Sequence, residues 1–132
     1  MEFNEMLNGF FEQVRCESDF LQFLTKLKQN DISYYIYFVA TGNVQIVTTA
    51  DTYLSLKSER RLIKVTQHAS ESLTRIAARR HFSGVTLFDQ YCRELANAGV
   101  FKWVVDVGEV NRRYWSKDNR LLHSENFINP TE

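Results

Sequence analysis

Cysteine, net charge and long apolar runs are all scarce in this 132-residue chain, and each scarcity excludes a class of protein. The two cysteines, Cys16 and Cys92, lack the paired spacing of a zinc site and the density of a secreted disulfide scaffold, so we expect both to be reduced thiols. Sixteen basic residues balance sixteen acidic ones. This balance removes the usual electrostatic argument for non-specific binding to nucleic acid or to anionic membranes.

Membrane insertion, metal binding and catalysis also find no support in the sequence. No apolar run approaches the roughly 20 residues that cross a bilayer, and the first eleven residues carry two acids and no base, unlike a signal peptide. We therefore expect a cytoplasmic protein with no membrane partner. The three histidines are widely spaced, and no glycine-rich phosphate loop, nucleophile elbow or paired-carboxylate motif is present. The sequence thus predicts no metal ligand, no cofactor and no catalytic residue.

Aromatic residues, in contrast, are abundant. The chain has ten phenylalanines, six tyrosines and two tryptophans, and 44% of its residues are hydrophobic. This supply supports a packed interior, and a chain of this length has too few residues for two good cores. We expect one domain over residues 1–132, with a tail at about 126–132 that need not be ordered.

The second half of the chain contains the stretch that organises the predicted fold. Thr86 is a favourable helix N-cap, with Asp89 placed to reach back to it, and Gly99 ends the helix in the left-handed conformation. The helix presents one apolar stripe: Phe88, Tyr91, Cys92 and Leu95. The β-branched and aromatic run Val100 to Val107 then predicts a central strand, and Val110 to Trp115 returns as an antiparallel hairpin.

The remaining helices and strands are predicted from periodicity and turn residues. The helices run from Phe3 to Val14, from Ser18 or Asp19 to about Gln29, and from Ser70 to Arg80. Their apolar stripes include Phe20, Phe23, Leu24 and Leu27 in the second helix and Leu73, Ile76 and Ala77 in the third. The strands are the hairpin Ile32–Val39 with Val44–Thr49, a weaker pair at Tyr53–Leu56 and Leu62–Val65, and an edge strand at Arg120–Glu125.

Two parts of the chain follow the same order of helix, stop and hairpin at an offset of 68 residues. This offset places Phe20 on Phe88 and the run Ile32–Val39 on Val100–Val107. Few residues are identical, so either a structural repeat or chance alternation of buried positions explains the match. In both cases the predicted class is α+β: a single domain whose mostly antiparallel sheet, with these two runs as central strands, is covered by about four helices.

Four motifs carry a resemblance to a known family. They are His81-x-x-Gly84, Cys92, the run Ala98 to Asp106, and the pair Tyr34-Tyr35 before the turn at Gly42. With them, roughly residues 19–128 resemble the YbcV-like family of small uncharacterised bacterial proteins, some of which are labelled phage envelope protein. The resemblance implies a single domain and a phage association, and it implies no particular chemistry.

The chain departs from that family at two positions. Leu95 stands where members often have a second cysteine one helical turn after Cys92, and Thr41 stands where they have an aspartate before the turn glycine. A dithiol role or an acid-dependent role therefore does not carry over to this chain.

The candidates for ligand binding are His81, Cys92, Trp103 and Asp106. Cys92 is the first suspect for a nucleophile with His81 as its base, but its place on an apolar stripe favours packing in the core. Asp106 lies inside an apolar strand. It is either an acid with a perturbed pKa in a cleft or, more commonly, a strand-ending acid bonded to the backbone or to Arg112 or Arg113.

Basic and aromatic residues mix in the run Arg112 to Trp115, a mixture typical of proteins that bind single-stranded nucleic acid. Alternation, however, puts Arg112 and Tyr114 on one face of the strand and Arg113 and Trp115 on the other. The face that carries the buried strand residues must be core, so few of these side chains are available to a ligand. These arginines and those at Arg60-Arg61, Arg75 and Arg79-Arg80 are interpreted as a solvated face with intramolecular acid partners.

Three functions stay open on this sequence. A non-enzymatic binding or interaction module, with a protein partner or a second copy of the chain, is favoured because the aromatic supply exceeds the need of one small core. A small-molecule binder or enzyme with a cleft near His81 and Asp106 is the first alternative. A weak binder of single-stranded nucleic acid is the second, and nucleic acid is the least favoured partner.

Overall fold

The helices and strands follow the predicted order along the chain. The computed structural model describes Gly9 and residues 11–127. Residues 11–13 are helical, and the helices that follow are α1 (Glu17–Gln29), α2 (Glu71–Phe82) and α3 (Phe88–Asn97). The strands are β1 (Ile32–Phe38), β2 (Val44–Thr48), β3 (Tyr53–Leu56), β4 (Lys102–Asp106), β5 (Asn111–Trp115) and β6 (Leu121–Asn126). The predicted first helix, Phe3 to Val14, otherwise lies for the most part outside the described residues.

The strands of the described chain form one antiparallel sheet in the order β3-β2-β1-β4-β5-β6. Strands β1 and β4 are its central pair, as their apolar sequences predicted. Both predicted hairpins form, β1 with β2 and β4 with β5. The α+β class with a mostly antiparallel sheet is therefore confirmed.

The helices pack on one face of this sheet. In α1 the buried residues are those predicted: Phe20, Phe23, Leu24 and Leu27. The ring of Phe23 contacts that of Tyr35 in β1 with centroids 5.8 Å apart, and Tyr91 of α3 contacts Trp103 of β4 at 5.4 Å. Helix α2 lies against α3 and β6. Because side chains alternate along a strand, the opposite face carries the other half of the strand residues.

A pseudo-two-fold axis passes through the pair Ile36 and Val104. These residues lie directly opposite each other in β1 and β4 and are 68 positions apart. The strand order consequently reads the same from either edge, with β1, β2 and β3 corresponding to β4, β5 and β6. The helical residues 11–13 correspond in the same way to residues 79–81 of α2.

The turns repeat with the same period. Three pairs of residues with left-handed backbone are separated by 68 positions: Asp31 and Gly99, Gly42 and Val110, Asp51 and Asn119. Left-handed backbone is uncommon outside glycine, and alternation of buried positions does not explain it. These coincidences favour a structural repeat over chance. They also confirm the predicted ends of α1 and α3, because Asp31 and Gly99 follow those helices.

The buried face of α2 differs from the predicted one. Leu73 and Ile76 are 50% and 47% exposed, so the prediction that they face the core is wrong. The buried residues are Thr74, Ala77, Ala78 and His81. Small side chains let two helices approach closely, and α2 packs on α3 through this face. The predicted cap is present, since the Ser70 hydroxyl accepts a hydrogen bond from the Leu73 amide at 3.1 Å.

The starts of the other two helices also differ from prediction. Helix α3 has Leu87 at its N-cap, because the predicted cap, Thr86, is buried with its hydroxyl oxygen 3.0 Å from Nδ1 of His81. Helix α1 has Cys16 at its N-cap, without a side-chain cap bond, in place of Ser18 or Asp19.

Only one strand of the weaker predicted pair is present. Tyr53–Leu56 forms β3, but residues 62–65 are not a strand. Their segment is tied down by single backbone bonds to different partners, such as the Ile63 amide to the Ala40 carbonyl at 2.9 Å. Residues 62–65 form no ladder with any described strand, and β3 stays at the edge of the sheet.

The end of the described chain packs on the core. Asn126 is the last residue of β6, and the ring of Phe127 lies 5.0 Å from that of Phe20. The tail that we expected to be free from about residue 126 is therefore fixed at its first two positions. Residues 128–132 lie outside the described residues.

Candidate functional site

The structure divides the predicted ligand-binding candidates between the two faces of the sheet. His81, Cys92 and Trp103 lie on the helix-covered face and are at most 3% exposed. Asp106 follows the buried Val105 in β4, so its side chain lies on the opposite face. The sheet thus separates His81 from Asp106, and no single cleft contains both.

His81 is a neutral core residue. Its ring stacks on Tyr91 with centroids 4.1 Å apart. Its Nδ1 atom lies 3.1 Å from the Thr86 carbonyl oxygen and 3.0 Å from the Thr86 hydroxyl oxygen, so this nitrogen has a partner in either tautomer. Burial lowers the pKa of His81 to about 4, against the opposing effect of the bond to Thr86.

Cys92 is a buried thiol beside Tyr37. Its Sγ atom donates to the Tyr37 hydroxyl oxygen at 3.7 Å. Burial raises the pKa of the Cys92 thiol to about 12. Since the thiolate is the nucleophilic form, Cys92 is unreactive at neutral pH in this fold, which is the environment that its place on the apolar stripe predicted.

Trp103 borders a small, partly open cavity. Its ring stacks on Tyr37 with centroids 4.3 Å apart. The cavity has a volume of about 20 Å³ and is also lined by Tyr35, His81, Tyr91 and Arg112. A space of this size admits one water-sized molecule, so it is not a site for a larger ligand.

The open face of the sheet is the side that no described helix covers. Its central residues are Tyr34, Ile36, Phe38, Lys102, Val104, Asp106, Arg113 and Trp115. A shallow groove of about 500 Å³ crosses it. Asp106 accepts a hydrogen bond from the Glu109 amide at 2.9 Å. Asp106 is therefore the strand-ending acid bonded to backbone that was one of the two predicted roles.

A buried ion pair on the helix-covered face was not predicted. Arg112 of β5 is 2% exposed, and its Nη2 and Nε atoms donate to Oε1 of Glu125 in β6 at 2.7 and 3.0 Å. The guanidinium carbon lies 3.7 Å from the ring centroid of Phe82 and 4.4 Å from that of Phe20. Alternation separated Arg112 from Arg113 without saying which of the two faces is buried, and no local pattern indicated a partner 13 residues away.

An open groove of about 310 Å³ lies beside this pair, between α2 and β6. Its charged lining residues are Glu17, Arg75, Arg79, Arg112, His123 and Glu125, and we call it the basic groove. The His123 Nε2 atom lies 3.8 Å from Oε2 of Glu125. Burial lowers the pKa of His123; Glu125 opposes this shift, and the charges of Arg112, Arg75 and Arg79 add to it. The sequence interpretation of these arginines as a solvated face missed the groove.

The described ranges contain neither a cluster of metal ligands nor a helix that could span a membrane. Neither Gly9 nor residues 11–127 contribute to a group of three or more His, Cys, Asp or Glu side chains that could hold a metal ion. The helices in those ranges are too short or too polar for any of them to span a bilayer.

Comparison with known proteins identifies a family without an assigned activity. Residues 8–126 match the family described as "Protein of unknown function (DUF1398)". The chain is 44% identical over 119 residues to "Uncharacterized protein YcgX" of Escherichia coli (strain K12), covering 90% of this chain and 89% of that protein. It is 34% identical over 122 residues to "Uncharacterized protein YbcV" of the same strain, covering 92% and 90%. The resemblance found in the motifs is thus confirmed over nearly the whole chain.

Proposed function

The chain belongs to the DUF1398 family, and we propose that it is a non-enzymatic interaction module that forms a homodimer through the open face of its sheet. The observation that carries this proposal is the one-sided arrangement of the helices. A sheet is normally packed on both sides wherever both sides are apolar. Here one side is covered by α1, α2 and α3, and no helix within residues 11–127 covers the apolar centre of the other.

The composition of the open face fits a protein contact. Its centre is the pair Ile36 and Val104, flanked by the half-buried aromatic rings of Tyr34, Phe38 and Trp115. Aromatic residues at the centre of a surface and charged residues toward its rim are typical of interfaces.

The size of the open face is sufficient for a dimer. The six strands are four to seven residues long. At a spacing of about 4.8 Å and a mean length of about 18 Å they cover roughly 29 by 18 Å, or about 500 Å² on each copy. The two copies together would bury about 1,000 Å², which lies at the lower limit for a specific interface. We therefore expect a dimer of moderate affinity that dissociates on dilution.

The charged side chains at the centre of the open face would meet polar or aromatic partners in a symmetric dimer. A two-fold axis parallel to the strands, between β1 and β4, brings Val104 against the partner's Ile36. The same axis brings Asp106 to the partner's Tyr34 hydroxyl, and Lys102 to the partner's Phe38 ring. A carboxylate can accept a hydrogen bond from the phenol, and an ammonium is attracted to the face of a ring. No two like charges face each other in this arrangement.

The environments of the reactive side chains support the non-enzymatic part of the proposal. Cys92 is a neutral thiol and His81 a neutral imidazole, and both are enclosed in the core. A nucleophile and base for chemistry on a substrate must be reachable by that substrate. Neither residue meets this condition in the described fold.

Light scattering between about 5 and 200 μM protein tests the homodimer. We expect the mass to rise with concentration from 15.5 kDa towards twice that value. Val104→Glu places a charge at the centre of the contact and should weaken the dimer at least about 100-fold. Arg113→Glu alters an exposed position that does not affect folding, and it should weaken the dimer about tenfold.

Ile76→Glu is the matched control, because Ile76 is an exposed apolar residue on α2, away from the open face. It should leave the dimer unchanged. Circular dichroism of each variant verifies that it is folded. A protein that stays monomeric at 200 μM would overturn the proposal, as would a dimer that Ile76→Glu dissociates and the two open-face variants do not.

A further inference from the structure

The basic groove has positive charges without partners. Arg75 and Arg79 are exposed and one helical turn apart on α2, and within the described part of the chain neither guanidinium makes an ion pair or hydrogen bond. Like charges at this spacing repel each other. An anion between them would remove this repulsion.

The opposite wall of the groove carries Arg112, Glu125 and His123. Arg112 is neutralised by Glu125, but its Nη1 atom is buried without a hydrogen-bond partner. His123, beside them, is half-buried and stacks on Tyr114 with centroids 5.8 Å apart. Since positive neighbours disfavour protonation of His123, an anion bound in the groove would favour it by the same electrostatics.

The charge balance indicates which anion fits. The groove is lined by three arginines and two glutamates, a net charge of +1 that becomes +2 when His123 is protonated. A doubly charged anion matches the second state. Guanidinium groups bind the oxygens of phosphate bidentately. The walls also include Ala78, Phe82 and Phe127, which offer an apolar surface to an organic substituent.

We infer that the basic groove binds a dianionic phosphate group, either inorganic phosphate or a small phosphate monoester, between Arg75, Arg79 and His123. The two arginines hold the phosphate oxygens, and His123 donates a third hydrogen bond in its protonated form. A volume of about 310 Å³ accommodates one phosphate with a compact substituent. This site lies on the helix-covered side of the sheet and does not depend on the proposed dimer.

Binding must depend on pH because it is linked to protonation of His123. The charged and titratable groups that face His123 are Arg75 and Arg79 from α2, Glu17 from α1, and Arg112, Tyr114 and Glu125 from the sheet. Phosphate that raises the affinity of His123 for a proton must itself bind more tightly when His123 is protonated. The affinity for the phosphate dianion should therefore increase as the pH falls through the pKa of His123. Protonation of the phosphate, whose second pKa is about 6 in a monoester, removes the dianion at lower pH, so the observed affinity should pass through a maximum.

NMR of the full chain tests the inference. The His123 ring signals, assigned by their loss in His123→Gln, are titrated between pH 5 and 8 in chloride, in inorganic phosphate and in phenyl phosphate at one ionic strength. We expect either phosphate to raise the pKa of His123 by about one unit, which corresponds to a tenfold tighter binding to the protonated form. Phenyl phosphate binding more tightly than inorganic phosphate assigns the groove to a monoester, and the reverse order assigns it to free phosphate.

Substitutions separate a built site from general charge effects. Arg75→Gln and Arg79→Gln alter exposed side chains and should each lower phosphate affinity about tenfold with the fold intact. His123→Gln should remove the part of the pH dependence that comes from protonation of residue 123, leave the part that comes from ionisation of the phosphate itself, and retain part of the affinity. Arg93→Gln is the matched control, because Arg93 is an exposed arginine of α3 paired with Asp89. The inference is overturned by the absence of saturable shifts up to 50 mM phosphate, or by equal losses in Arg93→Gln and Arg75→Gln.

Discussion

Replacement of Glu125 by glutamine should destabilise the protein more than the loss of any other ion pair within residues 11–127. The change removes one charge from a pair whose arginine is 2% exposed and whose glutamate is 24% exposed. Arg112 cannot turn to solvent, because Phe82 and Phe20 lie 3.7 and 4.4 Å from its guanidinium carbon. The variant thus leaves a buried positive charge without its counter-ion.

The expected cost is about 3 kcal/mol in the free energy of unfolding. Breaking a buried ion pair at one partner typically costs 3–5 kcal/mol, and the partial exposure of Glu125 lets water replace part of the lost interaction, which favours the lower value. The unfolding entropy of a chain of 132 residues is roughly 0.28 kcal/mol per kelvin near 60 °C. The melting temperature should therefore fall by about 10 °C.

Urea unfolding followed by tryptophan fluorescence measures the effect, and a double-mutant cycle assigns it to the pair. With Arg112→Met in the background, Glu125→Gln should cost less than about 1 kcal/mol, since the buried charge is then absent. Asp89→Asn is the control. It breaks the pair with Arg93, whose side chains are 63% and 62% exposed, and should change stability by less than about 0.5 kcal/mol. Equal effects of Glu125→Gln in both backgrounds would refute the reasoning.

Gly99→Ala should cost at least about 2 kcal/mol more than Gly84→Ala in thermal melts. Both glycines have positive φ, 85° and 80°, but only at residue 99 would a Cβ atom meet another atom closely, the Cα of Ala69 at 2.6 Å. For His81, the folded pKa of about 4 lies below the ordinary 6.5, so the unfolded chain binds more protons between these values. The free energy of unfolding should fall by about 1.4 kcal/mol per pH unit as the pH drops from about 6.5 towards 4, and His81→Gln should remove this part of the slope in urea titrations at several pH values. In gel shifts at physiological salt, single-stranded DNA or RNA should bind more weakly than about micromolar, because Arg112 points into the core; tight binding with a steep salt dependence would contradict this.

The sheet was predictable from the sequence because its register is determined by local alternation and turns. The runs that form β1 and β4 are apolar on both faces, which is typical of central strands. Glycine or aspartate after each helix indicated where the chain turns into the sheet, and Asp31 and Gly99 both have the left-handed backbone that such a stop requires.

The buried face of α2 was not predictable by counting large apolar residues. Leu73 and Ile76 carry most of the hydrophobicity of that helix, yet close packing on α3 selects the face with alanine and threonine. Helix packing is decided by the shape of the neighbouring helix as well as by transfer of apolar surface from water. A single sequence gives the hydrophobicity of each side chain directly, but it gives the shape of the neighbouring helix only indirectly.

The basic groove could not be predicted from the sequence for a different reason. Its charged residues come from α1, α2, β5 and β6, and Arg75 and His123 are 48 positions apart in the chain. Periodicity places a residue on a face of its own helix or strand, but it does not say which faces meet. The one available signal was Arg112 itself, an arginine at a core-facing strand position, because such a charge requires a partner.

The internal repeat shows that this charge is not required by the fold. Val44 occupies the position 68 residues before Arg112, is 4% exposed, and completes the core of the first half with an aliphatic side chain. Ile46 likewise occupies the position 68 residues before Tyr114. Replacing a buried ion pair by well-packed apolar residues is often neutral or stabilising, so stability alone favours the arrangement of the first half. The two halves share their strand order and their left-handed turns, and they differ where the basic groove lies. The charged residues that the first half lacks are thus the ones that line the groove in which we infer an anion to bind.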